Sequence, residues 1–316
     1  MNKLIPLCIC LLIFSHCTPP TSSKEEASVL EVAYGRVVRI DSFASQYVSA
    51  RNVDILLPEG YSPQKEYPVI YMHDGQMLYD STNGWNGQEW GVDETLGKLV
   101  GEKKVKPCIV VGAYNSGKGR LSDYIPAKPF EKLASAFKDS IRHDLRRRKE
   151  GPSTDIVIKA DEYLKILTQE LKPYIDQNYS TLSGKDHTFV SGSSMGGLIS
   201  MYAICEYPEV FGRAACLSTH WLGIMSPEEN PIPASYVQYL AEHLPDPATH
   251  KIYFDYGTET LDQYYEPHQL KVDSVMRLKG FSPNNWQTQK FEGANHSENA
   301  WKARLHIPFE FLLSES

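Results

Sequence analysis

Cysteine is scarce in the body of this chain. Of six cysteines, Cys8, Cys10 and Cys17 sit in an apolar N-terminal stretch, leaving Cys108, Cys205 and Cys216 for the folded part. Three thiols in apolar or helical surroundings cannot build a disulfide framework and are expected to be buried and free. Basic charge is also short, with 32 Lys and Arg against 39 Asp and Glu for a net −7. The basic cluster Arg146, Arg147, Arg148 and Lys149 reads as a solvated helix end, so no stripe is available to neutralise a phosphate backbone and nucleic acid is excluded as a partner. The N-terminal apolar run, Leu4 to Phe14 with Pro6 inside it, is too short to cross a bilayer as a helix. Internal repeats and low-complexity linkers are lacking too. What remains is a 316-residue chain, 41% hydrophobic and 11% aromatic, able to bury a large core.

The first 17 residues read as a targeting segment, with Lys3 ahead of the apolar run. The stretch Phe14-Ser15-His16-Cys17 resembles the lipobox of bacterial lipoproteins, which implies acylation of Cys17 and a lipid-anchored protein on the periplasmic or surface face of the bacterial cell envelope. Without that acylation the expectation is a secreted protein. Residues 18–27 (TPPTSSKEEA) form a polar tether, and residues 28–316 are expected to fold as one domain.

From Val29 onward, strand and helix patterns alternate. Strands are expected at Val29–Ile40, Asn52–Leu57, Tyr67–Met72, Cys108–Ala113, Thr188–Val190, Ala214–Leu217, Ile252–Tyr256 and Gln287–Phe291. Ala160, Tyr163, Leu164, Leu167 and Leu171 recur at helical spacing, and Pro173 is expected to start a second helical piece. Continuous apolar strands separated by helices imply a doubly wound, mostly parallel sheet covered on both faces; the polar alternation of the N-terminal strands implies an antiparallel edge. Ligands of such a sheet bind beyond the carboxyl ends of its strands.

The chemistry is carried by Gly192-Ser193-Ser194-Met195-Gly196. This G-x-S-x-G follows a strand and opens a helix, the context of a nucleophile elbow, in which Ser194 is pushed out above the sheet on a strained turn. A serine hydroxyl needs a hydrogen-bonded base, and His296, on the loop after the last strand, fits by chain order. The base needs a carboxylate to orient it, expected on the loop after Ile252–Tyr256. Asp262 and Glu259 both qualify. Asp262 is preferred for its shorter side chain, placed where the chain turns back before the next helix. Two oxyanion donors are required; the Met195 amide supplies one, and the turn His73-Asp74-Gly75-Gln76 offers the second, with the Gln76 amide first choice. No metal or organic cofactor is expected, because His73 and Asp74 have no further ligand at metal spacing.

The stretches VDILLPEGY, YPVIYMHDGQMLYD, SGSSMGGLISMYA, YPEVFGRAACLS and GANHSENAW resemble the "Putative esterase" family of α/β-hydrolases, over roughly residues 30 to 314. That family takes in enterochelin, feruloyl and acetylxylan esterases and S-formylglutathione hydrolase. The resemblance implies an α/β-hydrolase fold and ester hydrolysis by a Ser-His-acid triad. Many relatives place the acid three residues after the loop glycine, and here that position is Thr260. Likeness to the mycolyltransferases in Asp74-Gly75-Gln76 supports Gln76 as an oxyanion donor.

Aromatic residues in the loops, Trp85, Trp90, Tyr114, Tyr124, Trp221, Tyr264 and Tyr265, suit sugar faces or phenolic acyl groups. Trp221, Trp85 and Tyr124 are the expected substrate walls, and Arg120 could meet an anionic substrate. The leading expectation is an extracytoplasmic serine carboxylesterase acting on feruloyl or acetyl esters of saccharides. A siderophore esterase is the alternative. A reading of another class, an inactive carbohydrate-binding protein on the same fold, would have no physical reason to keep the full set Ser194, His296 and acid.

Overall fold

The computed structural model describes residues 29–84, 86–139, 157–223 and 230–313. The leader and tether with Cys17, Trp85, and the basic cluster from Arg146 to Lys149 lie outside the described residues.

Among the described residues, eight strands share one sheet: β1 (Arg36–Phe43), β2 (Arg51–Leu57), β3 (Val69–His73), β4 (Ile109–Ala113), β5 (Thr188–Ser193), β6 (Arg213–Leu217), β7 (Lys251–Gly257) and β8 (Trp286–Phe291). Their spatial order is β1-β2-β4-β3-β5-β6-β7-β8. β2 runs antiparallel to both β1 and β4, and every other neighbouring pair is parallel. This is the α/β-hydrolase fold with its antiparallel N-terminal edge.

The inner parallel strands β3 to β7 are buried almost throughout because each face of the sheet is roofed there, whereas β8 at the edge is more polar and half-buried. Alternate residues feed separate cores: Val69, Tyr71, Val190, Ala214, Cys216, Ile252 and Phe254 face one, and Ile70, Met72, Phe189, Ala215, Leu217 and Tyr253 the other. That two-residue alternation is the pleat itself. The helices that matter for the site are α1 (Val92–Gly101), α2 (Arg120–Tyr124), α3 (Ala160–Lys165), α4 (Met195–Glu206), α5 (Ile232–His243), α6 (Glu266–Leu278), α7 (Glu298–Arg304) and α8 (His306–Leu313). α4 is buried on all sides from Met195 to Cys205, so it serves as the central post under the site. Cys108, Cys205 and Cys216 are free and buried.

One local expectation is corrected. The first strand begins at Arg36 rather than Val29, because Gly35 (φ 73°) turns the chain where a Cβ would stand 2.2 Å from the Leu57 carbonyl oxygen. Pro173 stands in the first turn of the second helical piece, Lys172–Asn178, as expected, and a π-helical stretch, Ile166–Leu171, joins that piece to α3. Pro173 has no N–H to give to the preceding turn, and the wider π turn just before it accommodates the ring.

Candidate active site

β5 delivers Ser194 onto a turn with φ 57° and ψ −122°, strained for any residue with a Cβ. The strain is held by neighbours. The Ser194 N–H donates to the Leu217 carbonyl (2.9 Å), and its carbonyl accepts from Leu198 (3.0 Å) and His220 (3.1 Å). Gly192 is required because a Cβ there would lie 2.7 Å from the Gly196 backbone, so the strand and helix can meet at this angle only without it.

His296 stands between β8 and α7. Ser297 caps α7 by accepting from the Ala300 N–H, so the helix begins directly after the histidine and fixes its approach. Nε2 of His296 lies 2.9 Å from Ser194 Oγ, and Nδ1 lies 2.5 Å from Asp262 Oδ1. The imidazole is flanked edge-on by Trp301 (centroids 5.0 Å, 85°) and Tyr265 (5.8 Å, 81°).

Asp262 sits in a 3-10 turn, Thr260–Tyr264, after β7. Oδ2 accepts from the Gly257 N–H (2.6 Å) and from Ser218 Oγ (2.6 Å). Burial pushes its pKa upward, but the bonds from His296, Ser218 and Gly257 outweigh it and leave the carboxyl below the ordinary range. Glu259 is exposed; its N–H, like that of Thr258, donates to the Ala294 carbonyl. Thr260, where many relatives have the acid, adopts φ 54° and accepts the His296 N–H on Oγ1 at 2.9 Å. The acid loop and the histidine loop are thereby stitched together.

The turn after β3 lies against the first turn of α4: a Cβ on Gly196 would be 3.2 Å from Asp74 Oδ2. Asp74 (φ 58°) opens the Gly75–Met77 turn. Its carboxylate takes two bonds from Arg120 (2.6 and 2.7 Å) and one from Asn115 Nδ2 (2.7 Å). Burial opposes ionisation of Asp74, yet Arg120 and Asn115 hold its pKa below the ordinary value. Gln76 Oε1 accepts from the Asn115 N–H at 3.2 Å. His73, next to Asp74, bonds Tyr163 through Nδ1 (2.7 Å); burial is the main cause that lowers its pKa to about 3 and keeps it neutral.

The expected substrate walls are largely corrected. Tyr124 is 0% and Trp221 1% exposed. The Tyr124 hydroxyl accepts from the Asp74 N–H, and the Trp221 indole donates to Gln269 and packs on Phe254. Both are core residues because their rings complete the layer beneath the site rather than its rim. Arg120 is bonded to Asp74 and so is not a free cation awaiting an anionic substrate. Trp90 and Tyr265 are buried as well, whereas Tyr264 is 42% exposed. Beside the histidine loop an open groove of about 780 Å³ is lined by Gln88, Phe291, Asn295, Ser297 and Asn299 among others. Sequence reasoning missed Ser218, Trp301, Arg304 and Asp255 behind the acid. Two signals were available: an aspartate inside the mostly apolar strand Lys251–Gly257, and an arginine three residues after a tryptophan on α7.

A family model described as "Putative esterase" matches residues 45–310. "Uncharacterized protein YbbA" of Bacillus subtilis (strain 168) is 24% identical over 87% of this chain and 97% of its own length. "Endo-1,4-beta-xylanase/feruloyl esterase" of Xylanibacter ruminicola is 27% identical over 63% of this chain, which spans only 23% of that longer protein. Among solved structures, a ferulic acid esterase superposes with TM-score 0.63 at 18% identity, covering 89% of this chain and 98% of the other.

Proposed function

Because the chain belongs to the "Putative esterase" family and is a carboxylic ester hydrolase, we propose that Ser194, His296 and Asp262 are its catalytic triad and that its substrates are acylated saccharides, with feruloyl or acetyl groups as the acyl part. The observation that carries this reading is the unbroken line Asp262 to His296 to Ser194, 2.5 and 2.9 Å, ending on a strained serine at a helix N-terminus. Ser194 Oγ attacks the ester carbonyl carbon as His296 Nε2 takes its proton. The carbonyl oxygen becomes an oxyanion between the amides of Met195 and Gln76. Collapse expels the alcohol, protonated by His296, and a water deprotonated by the same nitrogen then releases the acid. Met195 opens α4, where first-turn N–H groups lack intrahelical acceptors, and the Gly196 contact brings the Gln76 turn to that end.

The saccharide part is supported by the feruloyl esterase named among the relatives. Engagement of Arg120 by Asp74 removes the feature that favoured an anionic siderophore. The apolar run ending at Cys17 supports a lipid-anchored envelope protein. Full-length protein should then partition with membranes, and a chain starting at Glu25 should be soluble and equally active; an unmodified Cys17 by mass spectrometry refutes the anchor.

The deciding experiment is Ser194→Ala assayed on p-nitrophenyl acetate and on a panel of acetyl and feruloyl xylo-oligosaccharides. The expected loss is on the order of 10⁴ or more, because the oxyanion site alone cannot replace the nucleophile. Retention of a tenth of the activity, or fluorophosphonate labelling of another serine, overturns the assignment.

A further inference from the structure

Behind Asp262 lies a charged cluster that the reaction scheme does not use. Asp255, on β7, is fully buried, and Arg304, on α7, is 3% exposed. Arg304 Nη2 bonds Asp255 Oδ1 (2.9 Å) and Nε bonds Oδ2 (3.2 Å), while the guanidinium also lies 4.8 Å from the Phe291 ring centroid. Both ends of this pair meet Ser218, in the loop after β6. Its N–H donates to Asp255 Oδ1 at 3.0 Å, holding a backbone with φ 40°. Its hydroxyl touches three groups: Trp301 Nε1 at 2.9 Å, Arg304 Nη2 at 2.9 Å and Asp262 Oδ2 at 2.6 Å.

Proton counting decides how that hydroxyl is used. A serine oxygen has two lone pairs and one proton, whereas an indole N–H and a guanidinium can only donate. Trp301 and Arg304 therefore occupy both lone pairs, and the single proton has one place left to go, Asp262. We propose that Ser218 is a positioning residue, locked by Trp301 and Arg304 as a donor to Asp262, so that the carboxylate is held as a pure acceptor and His296 is held with its proton on Nδ1. Oδ2 is filled by Ser218 and Gly257, which leaves Oδ1 for His296 Nδ1–H. Neutral imidazole with Nδ1 protonated has its lone pair on Nε2, the atom facing Ser194. The ionised state of Asp262 agrees with its lowered pKa. The other titratable groups around this line, Tyr265 and His220, bond each other through His220 Nδ1 at 2.5 Å, and Tyr253 bonds Asp255 at 3.2 Å; none of them reaches Oδ1. The tautomer of the base is thus set from three residues away, through a chain of obligate donors.

The proposal rests on the triad reading, and its test separates the two. In ¹⁵N-labelled protein the His296 Nδ1 proton, assigned by its loss in Asp262→Asn, should resonate at low field. Ser218→Ala should move it upfield and lower kcat by about tenfold, the usual scale for a hydrogen bond to a charged group, with KM changed by less than about twofold. Trp301→Phe keeps an aromatic edge on His296 but removes the N–H, and should act in the same direction with a smaller effect. Thermal melting identifies any variant that fails to fold; if Ser218→Ala is one, Trp301→Phe decides. A folded variant whose resonance and kcat both stay at the wild-type values overturns the lock. Should wild-type protein hydrolyse no ester and resist fluorophosphonate, the triad reading falls, and the response of the resonance to Ser218→Ala still decides whether the lock exists.

Discussion

Two buried Asp–Arg pairs flank the serine, and they are built differently. On the side of the turn after β3, Asp74 takes two short bonds from Arg120 and a third from Asn115, and its pKa falls below the ordinary carboxylate value of 3.8 despite burial. On the acid side, Asp255 has longer bonds to an arginine shared with Ser218, and burial, the dominant cause, raises its pKa above 3.8. Arg120 keeps 19% of its side chain in solvent, against 4% for Arg304. The difference teaches that one residue pairing can serve two ends. Asp74–Arg120 steadies a buried turn through an arginine that keeps part of its side chain in solvent. Asp255–Arg304 keeps a carboxylate of raised pKa buried and holds Ser218, a partner of the proposed triad acid, in a dry layer.

The largest effect that sharpens this contrast is on the proposed acid, Asp262. Asp262→Asn should lower turnover by as much as about 10⁴, since the amide favours the wrong imidazole tautomer, while exposed Glu259→Gln should stay within about twofold. A severe Glu259→Gln defect beside a mild Asp262→Asn one would break the assignment.

Stability comes next. Arg304→Met leaves Asp255 buried without its counter-ion and should cost about 3–5 kcal/mol in urea unfolding. Arg120→Met should cost less, about 1–3 kcal/mol, because Arg120 keeps part of its side chain in solvent and Asn115 still donates to Asp74 when the guanidinium is gone. Equal losses would mean that the two pairs are energetically alike.

The pH dependence should differ in sign. Asp74 has a depressed folded pKa, so its contribution is full above about 3.8, the unfolded value, and is lost as pH falls through the lower folded value. Asp255 has a raised folded pKa, so its charged form is a penalty above that value, relieved as pH falls toward 3.8. Asp74→Asn should therefore flatten the acid loss of stability and Asp255→Asn should steepen it. Urea titrations between pH 6 and pH 3 read both slopes, and slopes of the same sign refute the contrast.

The smallest effect concerns the rim. Tyr264→Ala should raise KM for a feruloyl ester by roughly two- to tenfold, the scale of one aromatic contact. Trp221→Phe should instead lower the melting temperature by a few degrees with KM unchanged, through loss of the Gln269 bond, on the order of 1 kcal/mol. A KM effect confined to Trp221→Phe would restore it as a substrate wall.

The strand pattern, the antiparallel edge and the elbow were legible in the chain because periodicity and glycine placement are local properties. Gly192 and Ser194 lie within three positions of each other, and their turn is dictated by what fits between a strand and a helix. His296 could be found by chain order after β8, and Asp262 by its place after β7. The layer behind them could not. Ser218, Asp255, Trp301 and Arg304 come from three separate segments, and nothing in any one segment says that a hydroxyl will meet two donors and a carboxylate. The aromatics mislead for the same reason: Tyr124 and Trp221 lie in loop or short-helix sequence, where aromatic rings suggest a rim, yet packing turns them inward. Composition and periodicity specify which residues are apolar and which face of an element they occupy; which buried polar groups satisfy one another depends on side chains brought together from distant positions, and only the folded chain settles that.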